Sequence, residues 1–363
     1  MDRWYLTGNE AIVEGALRAG LNAFFSYPIT PANEIIETFA KKYFEDRERE
    51  RRGEKPFYPE FKVFLQMESE IASINAVMGG AAAGFRVMTS SSSPGISLKT
   101  EGISYLAACE LPCVIVNIMR GGPGLGSIQP EQSDYFQAVK GGGHGDYKLI
   151  VLAPSSAKEM FEYTIMLFNL TDKYRNPGML LADGYLGQMK ESFEVPDVKI
   201  EKYEKPWAVT GMGDRETQNV IESLYLIPEP MIEAKKRLFE KYKQIEANEV
   251  RYETYKADDA KILIAAYGTC SRVAKEAIDI ARENGIKVGL IRPITLWPFP
   301  YKIFVDFTTH QVDRILVVEM SFGQFVEDVR LGVEGRAEVK LFACYGGILP
   351  TEEEILKKIR EFS

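Results

Sequence analysis

Cysteine is scarce in this sequence. Its four cysteines, Cys109, Cys113, Cys270 and Cys344, form no C-x-x-C pair, so neither a disulfide framework nor an iron–sulfur cluster on this chain is indicated and reduced thiols are the default. Histidine is scarcer still. His144 and His310 have no third ligand at a metal spacing, which argues against a metal centre built by the chain. No apolar run approaches the roughly 20 residues of a membrane span, and Met1-Asp2-Arg3-Trp4 leads into Gly8-Asn9-Glu10 without the apolar core of a secretion signal. A cytoplasmic location is expected. An excess of positive charge is missing as well: 44 Lys and Arg face 52 Asp and Glu, a net charge of -8. That balance argues against a nucleic acid or an anionic membrane as the main partner. Three nucleotide and hydrolase signatures are absent. There is no G-x-G-x-x-G in strand-turn-helix context, no G-x-x-x-x-G-K-[ST] and no G-x-S-x-G.

What is present has the profile of a soluble globular protein, with 45% hydrophobic and 26% charged residues. A length of 363 residues accommodates two domains with separate cores. Helical spacing from Asn9 ends at Gly20, and Ala23-Phe24-Phe25-Ser26 reads as a strand running into Tyr27-Pro28-Ile29-Thr30-Pro31. The flanking prolines hold Thr30 rigidly at a strand end, although a Pro-capped turn would look the same. A helix is predicted over Asn33 to Phe44, and the charge run Glu45 to Lys55 reads as a solvated helix end or loop. Further strand and helix patterns alternate to about residue 195 and define a parallel α/β domain, 1–195. Residues 196–258 read as a linker with an amphipathic helix over Met231 to Tyr252. A smaller α/β domain, 259–363, follows; few polar groups converge in it, which favours docking over catalysis.

The stretch from Phe64 to Asp146 organises the rest. Strands there give way directly to Gly, Ser and a lone charge, as at the carboxyl edge of a parallel sheet where backbone approaches a ligand. Glu68 and Glu70 sit where a strand meets a helix of Ala, Gly, Ile and Met, and being two apart they point different ways. A carboxyl group held against that helix could share a proton with a ligand nitrogen; the plainer alternative is that both cap the helix. Arg120 ends an uncharged strand, before Gly121-Gly122-Pro123-Gly124-Leu125-Gly126. It could grip a carboxylate bidentately, or pair with a neighbouring acid.

Taken together, Tyr27-Pro28-Ile29-Thr30-Pro31, Glu68-Ser69-Glu70, Thr89-Ser90-Ser91-Ser92-Ser93-Pro94-Gly95-Ile96-Ser97-Leu98-Lys99, Arg120 to Ser127, Gln129-Pro130 and Gly141-Gly142-Gly143-His144-Gly145-Asp146 resemble the alpha subunit of 2-oxoacid:ferredoxin oxidoreductases. The likeness is greatest to the 2-oxoisovalerate (branched-chain 2-oxoacid) enzymes, with 2-oxoglutarate enzymes next. Arg292-Pro293-Ile294-Thr295-Leu296-Trp297-Pro298-Phe299-Pro300 resembles the transketolase C-terminal type domain of the same family. The resemblance implies an α/β fold: a parallel-sheet, pyrimidine-type thiamine-diphosphate-binding domain, then the transketolase C-terminal-like one.

It also implies coenzyme A-dependent oxidative decarboxylation of a 2-oxoacid to acyl-coenzyme A, carbon dioxide and reduced ferredoxin. Thiamine diphosphate would lie between two subunits. Glu70 matches the family's carboxylate on the aminopyrimidine ring, whose exocyclic nitrogen then removes the thiazolium proton; Thr30 and Arg120 match positions that contact substrate. The sequence contains neither Gly-Asp-Gly nor Asn-Asn to hold a metal and diphosphate, and lacks cluster cysteines. Mg2+, the diphosphate half and the [4Fe-4S] clusters are therefore expected on partners: a beta subunit, a small ferredoxin-like subunit and a gamma subunit. Alternatives are 2-oxoglutarate or pyruvate as substrate, a thiamine enzyme of transketolase or 2-oxoacid dehydrogenase type, and a non-catalytic scaffold.

Overall fold

The computed structural model describes residues 3–362. The larger sheet has seven strands in the spatial order Thr295–Trp297, Ile150–Leu152, Gly178–Asp183, Val114–Met119, Val87–Ser91, Ala23–Ser26 and Val63–Gln66. All pair in parallel except Thr295–Trp297, which is antiparallel to Ile150–Leu152. The central strands Val87–Ser91, Val114–Met119 and Gly178–Asp183 are buried at every position, as expected for strands covered on both faces. Helices Gly8–Arg18 and Ala157–Tyr174 pack against each other. The first is closed by a capping box of Thr7 and Glu10, the second by the Ser156 hydroxyl, which accepts from Glu159 N.

From Ala23–Ser26 the chain steps outward to Val63–Gln66 and then returns to Val87–Ser91 on the other side. The winding of the sheet reverses between these strands, and in open α/β sheets ligands occupy the crevice at the carboxyl ends of strands flanking such a reversal.

A second sheet has the order Glu338–Ala343, Arg314–Glu319, Ile262–Ala265, Val288–Pro293 and Tyr252–Tyr255, parallel except for the last strand. Two strands depart from the expected division. Residues 196–258 are not wholly a linker, because Tyr252–Tyr255 pairs with Val288–Pro293; the helix there runs over Pro228–Asn248 and stops before Tyr252. Thr295–Trp297, sequentially in the second domain, extends the first domain's sheet. The helix from Asn33 also outlasts its predicted end, reaching Arg51 through the charge run. Its Asp46 is buried rather than solvated, and accepts from Phe57 N at 2.7 Å and Tyr58 N at 2.8 Å. An isolated carboxylate in a charge run gives no sign of this, since the donors arrive from a later loop.

The two sheets are joined by buried polar contacts. Gln132 donates its backbone N–H to Met320 O at 2.7 Å, and its side chain bonds Tyr267 O and Met320 N. Arg292, 1% exposed, forks onto Glu159 at 2.8 and 3.0 Å and reaches Tyr163 and Glu253. Burial pushes the Glu159 carboxyl up, but its bonds to Arg292 and the Ser155 donors outweigh this and leave it below the usual carboxylate range. Such a depressed group contributes stability above its unfolded pKa, lost as pH falls through its folded one. Replacing Arg292 by Met strands the Glu159 charge and is expected to cost about 3–5 kcal/mol. Melting curves of the two proteins check this. They should differ most near neutrality and converge towards acid pH, where Glu159 becomes protonated.

Candidate active site

The carboxyl ends of the central strands converge on three sequence-predicted residues. Glu68 is exposed, whereas Glu70 is 5% exposed at the first position of helix Glu70–Ala82. The capping alternative finds no support for this helix, whose N-cap is Ser69 with no side-chain capping bond. Glu70 instead lies against the next helix, Ser93–Ala108. A Cβ on Gly95 would stand 2.8 Å from Glu70 Oε1 and 2.1 Å from Ser91 Oγ. Glycine at 95 therefore admits the carboxylate to the strand end, and among the described residues nothing donates a hydrogen bond to it.

Thr30 and Arg120 come together directly. Arg120, 6% exposed, donates Nη1–H to Thr30 O at 2.9 Å and Nη2–H to Leu125 O at 3.2 Å. Its Nε is buried without an acceptor. The alternative of a pairing acid fails among the described residues, since the two acceptors are neutral carbonyls. A guanidinium has five N–H donors, so most of its capacity is unspent. The following loop closes on itself through Ser127 N to Gly121 O and Gly121 N to Gln129 O, each at 2.9 Å. Gly126 is required in that closure, because at φ 60° any Cβ would fall 1.9 Å from Gly121 O. Thr30 Oγ1 accepts from Asn33 Nδ2 at 3.1 Å.

Sequence reasoning missed the group that connects these parts. Ser93, at φ 22°, donates its hydroxyl to Asp134 Oδ2 at 2.6 Å and accepts from Arg120 N at 3.0 Å. Asn117 bridges the same pair, accepting from Ser93 N and donating to Asp134 at 2.9 Å. Burial raises the Asp134 carboxyl above its ordinary range against the pull of the Ser93 and Asn117 hydrogen bonds. The network holds the end of the Arg120 strand to the start of helix Ser93–Ala108, so Glu70 and Arg120 are referenced to one rigid turn. Lys99 was also passed over, and lies on this helix, fully buried. A single cation in the otherwise uncharged run Ser90 to Thr100, four residues beyond Gly95, was the available signal.

His144 is elsewhere. Its carbonyl accepts from Ser104 Oγ at 2.7 Å and its ring meets Tyr105 edge-on, beside a cleft of about 690 Å³ that Thr30, Glu70 and Arg120 do not line. No three His, Cys, Asp or Glu side chains among the described residues form a metal site. No helix of the described residues is long and apolar enough to cross a membrane.

The carboxyl edge of the doubly wound sheet thus presents a buried carboxylate and a buried guanidinium, neither of them in an ion pair among the described residues. The chain belongs to the pyruvate flavodoxin/ferredoxin oxidoreductase family: the thiamine-diphosphate-binding part matches residues 14–255 and the pyruvate:ferredoxin oxidoreductase core domain II matches residues 260–355. It is 50% identical over 358 residues to the ketoisovalerate oxidoreductase subunit VorB of Methanothermobacter marburgensis, covering 98% of this chain and 97% of that one. To the 2-oxoglutarate synthase subunit KorA of Methanothermobacter thermautotrophicus it is 35% identical over 388 residues, covering 99% and 98%. A solved 2-oxoglutarate:ferredoxin oxidoreductase from Magnetococcus marinus, with 2-oxoglutarate, coenzyme A and succinyl-CoA bound, matches with a TM-score of 0.85 at 27% identity. That match covers 99% of this chain and 65% of the other. A split-gene transketolase, at 11% identity and a TM-score of 0.61 over 98% of each chain, shares the fold.

The glycine at 95 yields a direct check. Alanine there suits a helix better by about 1 kcal/mol, so Gly95→Ala should leave the melting temperature nearly unchanged while its methyl displaces Glu70. Thiamine diphosphate titrated into the assembled protein should bind at least ~10-fold more weakly, about 1.4 kcal/mol. Unaltered affinity would place the cofactor away from Glu70.

Proposed function

We propose that this chain is the alpha, pyrimidine-binding subunit of a 2-oxoisovalerate:ferredoxin oxidoreductase, which converts a branched-chain 2-oxoacid and coenzyme A into acyl-coenzyme A, carbon dioxide and reduced ferredoxin. The observation that carries the substrate is the full-length identity of 50% to a ketoisovalerate oxidoreductase subunit against 35% to a 2-oxoglutarate one. The site supports the chemistry. Among the described residues the buried hydroxyls of Ser91 and Ser92 and Nε of Arg120 have no hydrogen-bond partners, and with Glu70 they leave polar capacity that suits a ring with nitrogen donors and acceptors beside an anionic substrate.

Bound thiamine diphosphate supplies the carbon nucleophile and the electron sink that decarboxylation of a 2-oxoacid needs. Glu70, buried at the strand end, would hold the aminopyrimidine ring of that cofactor by a shared proton, a contact that burial would strengthen. Arg120 receives the substrate carboxylate on its unspent donors, oriented by the carbonyls of Thr30 and Leu125. Thr30 presents its hydroxyl at the same edge. Mg2+, the diphosphate half and the [4Fe-4S] clusters are assigned to a beta and a small ferredoxin-like subunit, with a gamma subunit completing a cytoplasmic complex that hands electrons to ferredoxin.

The reading is tested by ferredoxin reduction with the complex purified from its host. The value of kcat/KM should be highest for 2-oxoisovalerate, above 2-oxoglutarate and pyruvate; a preference for either of the latter overturns the substrate assignment. Within the same complex, Arg120→Ala should raise KM for every 2-oxoacid by an amount worth about 2–5 kcal/mol, with cofactor content intact and only partial rescue by lysine. Normal kinetics would remove Arg120 from the site. Glu70→Gln should slow deuterium exchange at the thiazolium carbon by ~10²-fold to 10⁴-fold, and an unchanged rate would move that role away from Glu70.

A further inference from the structure

Glu131 is 6% exposed and enters no ion pair among the described residues. A buried carboxyl without a cation is held by hydrogen bonds instead, and here its two oxygens are claimed from different domains. Oε1 accepts from Gly346 N at 2.7 Å, and Oε2 accepts from Ser133 Oγ at 3.0 Å. Gly346 lies just past strand Glu338–Ala343 of the second sheet, so the first of these contacts crosses the junction between the domains.

The same carboxyl lies against the residue that follows Arg120. A Cβ on Gly121 would stand 3.4 Å from Glu131 Oε1 and 3.5 Å from Glu131 Cδ. Gly121 is the base of the loop that brings the Leu125 carbonyl to Arg120: its own carbonyl accepts from Ser127 N and its N–H donates to Gln129 O, each at 2.9 Å. The second domain reaches this loop at its other end as well. Gly347, at φ 83°, packs so closely that a Cβ there would meet Gln129 Cβ at 2.2 Å. Two consecutive glycines of one second-domain loop therefore seat the loop after Arg120, and Glu131 is the side chain that makes the polar half of that seat.

A further tie follows along the chain. Gln324 of the second domain donates Nε2–H to Ser133 O at 2.6 Å and accepts from Phe136 N at 2.8 Å. Backbone groups on both sides of Asp134 are thus held from the second domain, and Asp134 holds the Ser93 hydroxyl that accepts from Arg120 N. None of these contacts touches helix Glu70–Ala82, which carries the other end of the site.

We propose that Glu131 is a positioning residue for the substrate end of the site: by joining Gly346 of the second domain to the base of the loop after Arg120, it fixes the direction from which Arg120 meets the substrate carboxylate. Its role is geometric, since it needs only acceptor oxygens at this place. An error of about 1 Å in such a placement can cost on the order of 10²-fold. This inference rests on the functional reading above, in which Arg120 receives that carboxylate.

The test is a double-mutant cycle in the complex purified with all its subunits, read as KM for 2-oxoisovalerate in ferredoxin reduction. Glu131→Ala should raise KM by ~10-fold to 10²-fold and change kcat less, while thiamine diphosphate binds as in the wild type. Glu131→Gln, whose amide oxygen still accepts from Gly346 N, should recover most of the loss. In the Arg120→Ala complex, adding Glu131→Ala should leave KM where Arg120→Ala alone puts it. A full additional loss in that background, or no recovery with glutamine, overturns the proposal and leaves the functional reading intact. If Arg120→Ala itself leaves KM unchanged, that reading fails and the proposal with it. Should Glu131→Ala not assemble, Glu131→Met, of similar length and without the acceptors, takes its place in the cycle with the same outcomes; loss of assembly in both assigns Glu131 to the fold alone and overturns the proposal.

Discussion

The close approach of two helices at Gly95 and Gly102 is the contact on which the site depends. A side chain at Gly95 would displace Glu70 from its place beside Ser91 at the end of a central strand, and one at Gly102 would press on Ile74 of helix Glu70–Ala82. Because the same helix begins at Ser93, bonded to Asn117, Asp134 and Arg120, its position also fixes the end of the Arg120 strand. One rigid turn carries both ends of the site. That is how a carboxylate and a guanidinium from distant parts of the chain are held in fixed relation without pairing with each other.

Charges left unsatisfied inside a protein are costly, and Glu70 and Arg120 stand at one edge of the sheet without an ion pair among the described residues. Several of its buried ions away from the site are paired: Arg292 with Glu159, Arg86 and Lys205 with Asp172, Lys140 with Asp328. Several of these pairs fasten the two sheets or the connecting segment to the first domain, and Asp183 accepts from Thr269 Oγ1 at 2.7 Å across the same junction. Firm seams around an unsatisfied centre are what a preorganised site needs, because the polar capacity is aimed before the ligand arrives. The second domain is therefore part of the scaffold that holds the first.

Much of the framework was legible in the sequence, and for local reasons. The apolar run to Met119 read as a strand, Glu70 stood out with Glu68 where a strand gives way to a helix of small and apolar residues, and Arg120 stood out as a lone charge at a strand end beside glycine. The parts that escaped are set by contacts between distant segments. Thr295–Trp297 is too short to announce itself, and finds its partner Ile150–Leu152 only because the second domain folds back. Tyr252 read as the end of a helix and residues 253–258 as linker, whereas the helix stops at Asn248 and Tyr252–Tyr255 is a strand. Ser93, Asn117 and Asp134 carry no spacing signal, their meeting being a property of the sheet rather than of the sequence.

The central claim is that Glu70, Thr30 and Arg120 form one half of a site completed by another subunit. Its most direct test is a map of the assembled complex with thiamine diphosphate and a 2-oxoacid bound, at a resolution that shows side chains. The account predicts a pyrimidine nitrogen at about 3 Å from the Glu70 carboxylate, the substrate carboxylate forked onto Arg120, and the diphosphate held by the neighbouring chain. A cofactor bound wholly by the neighbour, with Glu70 facing no ligand atom, would contradict it.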